Sequence, residues 1–144
     1  GYKHTIFLKN DGTVWATGWN KYGQLGLGDT TDRNTPTKVN IDNVKEVVVV
    51  AGDRHTIFIK NDGTIWATGQ NNSGQLGLGD DTDRNTPTKV DIDNVKEVIA
   101  GANHTIFLKN DGTAWATGKN IFGQLGLGDE NDRKVPTQVN IIIN

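Results

Sequence analysis

The sequence predicts an all-β protein built from three repeats of one four-stranded unit. Val, Ile and Thr, the β-branched residues that favour strands, account for 41 of the 144 residues. The segment HTIFLKNDGTVWATG, residues 4–18, returns with few changes at residues 55–69 and 104–118. No window keeps the 3.6-residue apolar period of an amphipathic helix, and glycines interrupt every candidate.

The repeats have a period near fifty residues. The histidines that begin the repeated segment are spaced by 51 and then 49 residues. The same spacing holds for the tryptophan of the WATG motif and for the single proline of each repeat: Trp15, Trp66, Trp115, Pro36, Pro87 and Pro136. We predict a single propeller segment over residues 1–144, with repeats at 1–51, 52–100 and a truncated 101–144.

Each repeat is expected to contain four strands, lettered a to d. In the first repeat, strand a is HTIFLK, and an Asp-Gly turn with positive-φ positions joins it to strand b, TVWATG. A glycine-rich loop, GQLGLGD, leads to strand c, PTKV, whose leading Pro36 suits a strand start or an outer edge. Strand d is VKEVVVVA. It holds two residues more than in the second repeat, so it is lengthened or bulged without exchanging its faces.

Apolar side chains on both faces of the strands predict propeller blades. In strand a, Ile6 and Leu8 point to one face with His4, while Phe7 points to the other with Thr5. Four-stranded sheets covered on both faces by identical neighbours are typical of a propeller. The expected fold is therefore a β-propeller segment of three four-stranded antiparallel blades, the first of which lacks strand d.

Several motifs recur in the same order along nearly the whole chain: G-x-x-H-T, DG, W-A-T-G, N-x-x-G-Q-L-G-L-G, P and V-K-E-V. This combination resembles the regulator of chromosome condensation repeat family. The resemblance implies a propeller, commonly of seven blades, whose loops bind other proteins. The family's founding activity is guanine-nucleotide exchange on a small nuclear GTPase with docking on chromatin. This chain lacks the long insertions and basic segments on which those activities draw, so exchange is kept as a remote alternative.

Composition narrows the classes of partner. The net charge of −2, without a basic segment, argues against nucleic-acid binding and against binding to an anionic membrane. The absence of cysteine excludes disulfides and thiolate metal sites, and no apolar run is long enough for a membrane helix. The chain begins at Gly1 and has no Met, so we expect a piece of a longer protein. Localisation is not determined, with a bacterial extracellular or cell-surface protein favoured over a cytoplasmic one.

No constellation of residues predicts catalysis, a cofactor or a metal. Three histidines on successive blades are expected too far apart to share one zinc ion, so each is interpreted as a hydrogen-bonding anchor of the d-to-a turn. Ser73, the single serine, has no repeated counterpart, and the glycine-rich loop has no P-loop lysine. The acidic loops at residues 29–33, 80–84 and 129–133 could hold calcium, with Asp80, Asp81 and Asp83 as the first candidates. A self-capping turn with an Asp–Arg pair is the simpler interpretation.

Residues that repeat are expected to build the blade, and residues that differ between blades are candidates for binding. The predicted blade-building residues are His4, His55, His104, Trp15, Trp66, Trp115, Gly23, Gly74 and Gly123. The predicted protein-binding residues are Tyr2, Trp19, Tyr22, Ile121 and Phe122, which stand where the second repeat has polar residues. If Trp19, Tyr22 and Phe122 are anchors, they should be largely exposed. As an alternative, they cover local apolar patches beside the loops.

The sequence thus predicts a non-catalytic scaffold that binds a protein through its loops. The alternative is a self-assembling fragment, with two copies favoured because they would complete a six-blade ring. Three blades cannot close a circle, so the outer faces of blades one and three should be apolar and uncovered. The tail Ile141-Ile142-Ile143 is the candidate for covering the edge where strand d is missing, either in its own chain or across an interface between copies.

Overall fold

The computed structural model describes residues 2–49 and 54–142. Its strands, in chain order, are β1 His4–Leu8, β2 Val14–Gly18, β3 Arg33–Lys38, β4 Val44–Val49, β5 His55–Lys60, β6 Ile65–Gly69, β7 Arg84–Lys89, β8 Val95–Ala100, β9 His104–Lys109, β10 Thr113–Gly118 and β11 Arg133–Ile142. None of the described residues is helical, and the described part of the chain therefore offers no helix that could cross a membrane.

The strands form three antiparallel sheets, which we call blades one, two and three. Blade one is β1-β2-β3, blade two is β4-β5-β6-β7 and blade three is β8-β9-β10-β11. Each four-stranded sheet follows the order d-a-b-c, and blade one lacks strand d, as the sequence predicts. β4 and β8 pair with strand a in the same register as far as Val49. The expected lengthening of strand d falls on residues 50–53, which lie outside the described residues.

The hairpin between strands a and b differs in type from the expected two-residue turn. Gly12 alone has a positive φ, of 83°, whereas Asp11 does not. The amide of Gly12 donates to the carbonyl of Lys9, and the amide of Lys9 donates to the carbonyl of Thr13. This is a longer loop that ends on a glycine. Asp11 instead accepts hydrogen bonds from the amide and hydroxyl of Thr13, at 3.0 and 2.6 Å.

Strand c begins earlier than predicted, and its proline lies inside it. β3 starts at Arg33, which pairs with Gly18, and pairing resumes only at Thr37 opposite Ala16. Pro36 therefore lies in an irregular stretch of an edge strand, where the missing amide hydrogen costs no ladder bond. The expectation of an outer edge is correct, and the expectation of a strand start is wrong.

The apolar core lies between the blades. One cluster joins blades one and two and includes Val14, Leu25, Val39 and Phe58, all fully buried. A second, equivalent cluster joins blades two and three and includes Ile57, Ile65, Leu76, Val90 and Phe107. β5 thus packs Phe58 against blade one and Ile57 and Ile59 against blade three, and β9 packs Phe107 against blade two.

The C-terminal tail extends strand c of its own blade. β11 is ten residues long, and Ile142 pairs with Thr113 of β10. Ile141 is exposed, and Ile143 lies outside the described residues. Ile141 and Ile142 belong to β11, which pairs with β10 of the same blade. The prediction that they cover the edge of β1 within the same chain is therefore wrong.

Candidate functional site

The predicted binding residues gather at one end of the blades, where strand a begins and strand b ends. His4 pairs with Gly18, and the amide of Trp19 donates to the carbonyl of Lys3 at 2.9 Å. This places Tyr2 beside the loop that carries Trp19 and Tyr22. Ile121 and Phe122 occupy the equivalent loop of blade three. We call this end, with Tyr2, Trp19, Tyr22, Ile121 and Phe122, the loop face.

A repeated polar framework holds each loop. The Asn20 side chain accepts from the amide of Leu25 and donates to the carbonyl of Asp29, both at 3.0 Å. The amide of Asn20 donates to Asp32 at 2.8 Å. Asn71 and Asn120 make the same contacts in the other two blades. Because the framework is constant, the variable side chains are presented from the same backbone position in every blade.

The Asp–Arg pair predicted for the acidic loops is confirmed in all three blades. Arg33, Arg84 and Arg133 each contact Asp29, Asp80 or Asp129 at 2.7 Å. Hydrogen bonds from the guanidinium, and then from the amide two residues on, lower the pKa of these three aspartates. In the second repeat, Asp83 accepts from the amide of Asn71, and Asp81 lies 3.4 Å from Lys134. These carboxylates already have partners within the protein.

Trp19 and Tyr22 are half-buried, which corrects the expectation that they are largely exposed. Their rings meet edge to face, with centroids 5.5 Å apart. Lys3 lies over the Trp19 ring at 4.6 Å, and Arg54 of blade two lies 5.9 Å from the Tyr22 ring. The two aromatic side chains therefore cover each other and lie between Lys3 of blade one and Arg54 of blade two.

The other three predicted binding residues are exposed. Tyr2 is 92% exposed, Ile121 54% and Phe122 85%. Phe122 stands at the position of Tyr22 in the third loop, and its side chain is not covered by the described residues. The loop face therefore carries one packed aromatic pair at its first blade and one uncovered apolar pair at its third.

The repeated histidines link neighbouring blades. Nε2 of His55 lies 3.1 Å from the hydroxyl of Thr105 in blade three, and Nε2 of His4 lies 3.2 Å from Thr56 in blade two. The expected anchoring of the d-to-a turn is thus corrected to a contact between blades. Burial lowers the pKa of His55 to about 3, with smaller contributions from His104 and His4. His55 is therefore neutral at physiological pH.

The two threonines that receive these histidines were not singled out from the sequence. The signal was present, because each histidine is followed by a threonine: Thr5, Thr56 and Thr105. Its meaning was hidden, because the bonded partners lie 52 and 50 residues apart. A contact between repeats cannot be read from the pattern inside one repeat.

The repeated tryptophans lie toward the opposite, hairpin end. Lys60 and Lys109 stack over the rings of Trp66 and Trp115 at 4.7 and 4.5 Å. Thr64 and Thr113 accept the indole hydrogen bonds at 2.9 Å. Lys9 lies 5.6 Å from Trp15 in the first repeat. A groove of about 800 Å³ between blades two and three includes Trp115 in its lining. These residues shape the blades and carry no exposed apolar group comparable to Phe122.

Comparisons with known proteins agree with this architecture. The chain is 39% identical over 92 residues to the ultraviolet-B receptor UVR8 of Arabidopsis thaliana, which covers 63% of the chain and 21% of that protein. It is 39% identical over 87 residues to the human X-linked retinitis pigmentosa GTPase regulator, covering 60% of the chain and 8% of that protein. The matched part of the chain therefore spans about a fifth of the first relative and less than a tenth of the second.

A solved propeller structure superposes on most of the chain. The crystal structure of Prp20p from Saccharomyces cerevisiae, described with its binding to Gsp1p and histones, superposes with a TM-score of 0.84 at 25% identity. The match covers 96% of this chain and 36% of Prp20p. The model of the regulator of chromosome condensation (RCC1) repeat matches residues 11–59, 62–108 and 111–144. The chain belongs to the RCC1 repeat family.

Proposed function

We propose that the chain is a non-catalytic protein-binding module that contacts its partner through the loop face. The observation that carries the proposal is the exposure of Ile121 and Phe122 on a loop whose backbone is held by the same polar framework as its neighbours. Exposed aromatic residues on rigid supports are typical binding anchors. Tyr2, exposed on the same face, extends the candidate surface to blade one.

The relatives support a binding role of this kind. One is named as a receptor and one as a GTPase regulator, and Prp20p is described as binding Gsp1p and histones. Guanine-nucleotide exchange remains a remote alternative, because the chain covers only 36% of Prp20p. Adding the chain to a GDP-loaded small GTPase and following nucleotide release tests that alternative, and we expect no acceleration.

The second repeat supplies a matched variant for testing the loop face. Ile121→Asn with Phe122→Ser gives the third loop the residues of the second, Asn72 and Ser73, which the same framework already carries. We expect the double variant to keep the melting temperature of the parent chain. In quantitative affinity enrichment, it should no longer capture the proteins that the parent chain captures. Asn10→Lys, on the opposite end, is the control. Equal capture by all three proteins would contradict the proposal.

Self-assembly is a second candidate function, with two copies favoured. The observation that favours it is Phe7, which is 44% exposed although its counterparts Phe58 and Phe107 are fully buried between blades. Blade one therefore carries an apolar face of the kind that the other blades cover. Association of two copies would cover such faces without using the loop face.

A further inference from the structure

We infer that the loop face binds an acidic segment of its protein partner at a group of cations between blades one and two. The group consists of Lys3, Lys21 and Arg54 around the rings of Trp19 and Tyr22, and we call it the cationic cluster. The inference rests on the proposed function, because it names the class of partner that the same face takes. All five residues stand at positions that differ between the repeats.

The contacts of the cationic cluster form one continuous series. Nζ of Lys3 lies 4.6 Å from the centroid of the Trp19 ring. The Trp19 and Tyr22 rings meet edge to face, with centroids 5.5 Å apart. The centroid of the Tyr22 ring lies 5.7 Å from Nζ of Lys21 and 5.9 Å from the guanidinium carbon of Arg54. Three cations from two blades are thus gathered around one pair of aromatic rings.

The aromatic pair gives the cations preferred positions. Because the face of an aromatic ring attracts a cation, each contact restricts a long side chain that would otherwise sample many rotamers. Side chains that are ordered before binding lose less conformational entropy when a partner arrives. Trp19 and Tyr22 are half-buried, and we assign them the role of positioning residues for the three cations.

The carboxylates of the protein do not neutralise the cationic cluster. Lys21 and Arg54 are exposed, and neither forms an ion pair with another described residue. The acidic residues of the first loop have other partners: Asp29 binds Arg33 at 2.7 Å, and Asp32 accepts from a backbone amide at 2.8 Å. Since neighbouring like charges repel each other, an anion that joins the cluster is attracted by every cation in it.

The charges at the variable positions also favour an acidic partner. Two sets of residues on the loop face vary between repeats, namely those directly before each histidine and those directly after each WATG motif. These sets hold four cationic residues and one acidic residue: Lys3, Lys21, Arg54, Lys119 and Asp53. Asp53 lies outside the described residues. Because the whole chain has a net charge of −2, this excess of cations is a local feature that complements a segment rich in Asp and Glu.

An acidic peptide segment matches the size of the cluster better than a nucleic acid or a membrane does. Two or three carboxylates are enough to pair with three cations. Nucleic acids and anionic membranes are bound through longer basic stripes or segments, and a chain with a pI of 5.9 does not carry one. We therefore assign the cluster to a protein partner.

The other repeats supply variants that remove two of the charges. Lys21→Asn gives the first loop the residue that the second has, Asn72, and Arg54→Asn gives the second repeat the residue that the third has, Asn103. Both sites are exposed, so the double variant should keep a melting temperature close to that of the parent chain. Lys45→Asn with Lys96→Asn is the charge-matched control, because both lysines are exposed at the hairpin end.

Fluorescence anisotropy with a labelled peptide of alternating glutamate and serine tests the inference. We expect the parent chain and the control variant to bind this peptide and not the same peptide with glutamine in place of glutamate. Each removed charge should weaken binding by about two- to fivefold at low salt. The double variant should also show a shallower dependence of affinity on salt. Should the double variant fail to fold by circular dichroism, the two single variants provide the same comparison.

Two variants of Tyr22 test its role as a positioning residue. Tyr22→Phe keeps the ring, as Phe122 does in the third repeat, and should bind the glutamate peptide like the parent chain. Tyr22→Ser, with the residue of the second repeat, keeps every charge but should weaken binding by about two- to fivefold. Equal affinities of these two variants would overturn the role assigned to the ring.

Three results would overturn the assignment of the cluster to an acidic segment. These are a parent chain that does not bind the glutamate peptide, equal binding by the parent chain and the double variant, and equal binding of the glutamate and glutamine peptides. A single-stranded DNA oligonucleotide and vesicles that contain phosphatidylserine serve as alternative probes. Binding of either one, lost in the double variant, without binding of the glutamate peptide would overturn the assignment as well.

The failure of the inference and the failure of the proposed function give different results in affinity enrichment. If Ile121→Asn with Phe122→Ser loses the captured proteins while Lys21→Asn with Arg54→Asn keeps them, the inference is wrong and the proposed function stands. If neither double variant changes the captured proteins, the proposed function is wrong too.

Discussion

The middle blade and the two terminal blades share one sequence pattern but differ in what they bury. In β5, every residue from His55 to Ile59 is buried. In β1, with nearly the same sequence, Thr5 and Phe7 are exposed, and in β9 the opposite residues, His104 and Ile106, are only half-buried. Since strand side chains alternate between faces, the described residues leave one face of blade one and one face of blade three uncovered.

The comparison teaches that the burial of a side chain depends on its contact with a neighbouring blade and not on its position within the repeat. The loops show the same effect, because Gly23 and Gly74 are buried against the following blade and Gly123 is not. Stability in repeat proteins is divided between the repeats and their interfaces. Identical substitutions in equivalent positions should therefore have different effects in the middle and at the ends.

The largest difference is expected for the phenylalanines of strand a. Phe58→Ala empties a fully buried site and should lower the free energy of unfolding by about 3–5 kcal/mol. Phe7→Ala, at a 44% exposed site, should cost less than about 1 kcal/mol in the monomer. Urea unfolding of both variants, at a protein concentration where sedimentation velocity shows a monomer, measures this difference. Equal losses would mean that blade one is covered in the monomer.

The pH dependence of stability should also separate the middle from the end. Because burial holds the pKa of His55 at about 3, the unfolded chain binds a proton below about pH 6.5 that the folded chain does not. Stability should therefore fall as the pH falls from about 6.5 to 4.5, by up to about 1.4 kcal/mol per pH unit.

His55→Gln and His104→Gln test this assignment. Burial also lowers the pKa of His104, but that residue is only half-buried, so its replacement should reduce the slope less than replacement of His55. The paired aspartates, whose pKa values are lowered, lose their contribution only at more acidic pH. Urea unfolding free energies across this pH range give the slopes. An unchanged slope in His55→Gln would contradict the assignment.

The smallest difference is expected on the loop face. Tyr22→Ala removes the edge-to-face contact with Trp19 and the cover of Arg54, and should cost about 1–2 kcal/mol. Phe122→Ala, at the equivalent but uncovered position, should change stability by less than about 0.5 kcal/mol. Thermal unfolding of the two variants compares them directly. A loss at Phe122 as large as that at Tyr22 would make Phe122 a packing residue and weaken its role as an anchor.

The sequence predicted the features that depend on local patterns. The period near fifty residues gave the three blades, the missing strand of blade one and the Asp–Arg pairs, because these follow from spacing within a repeat. The early start of β3 was not predicted, because Arg33 and Asn34 are not residues that favour strands. They belong to β3 because Arg33 pairs with Gly18.

The contacts between blades could not be predicted in the same way. The bond from His55 to Thr105 joins residues fifty apart, and the pattern of one repeat does not say which face meets which. The half-burial of Tyr22 depends on Arg54, a residue of the next blade at a variable position. Both features require the relative placement of neighbouring blades, which only the structure supplies.

The mass of the parent chain in solution tests most directly whether the chain self-assembles. Light scattering should give a mass above that of one 15.7 kDa chain, rising with concentration toward a defined assembly, with two copies favoured. The circular dichroism should remain of the β type throughout. A sharp monomer peak at high micromolar concentration, with intact β-type circular dichroism, would contradict the account.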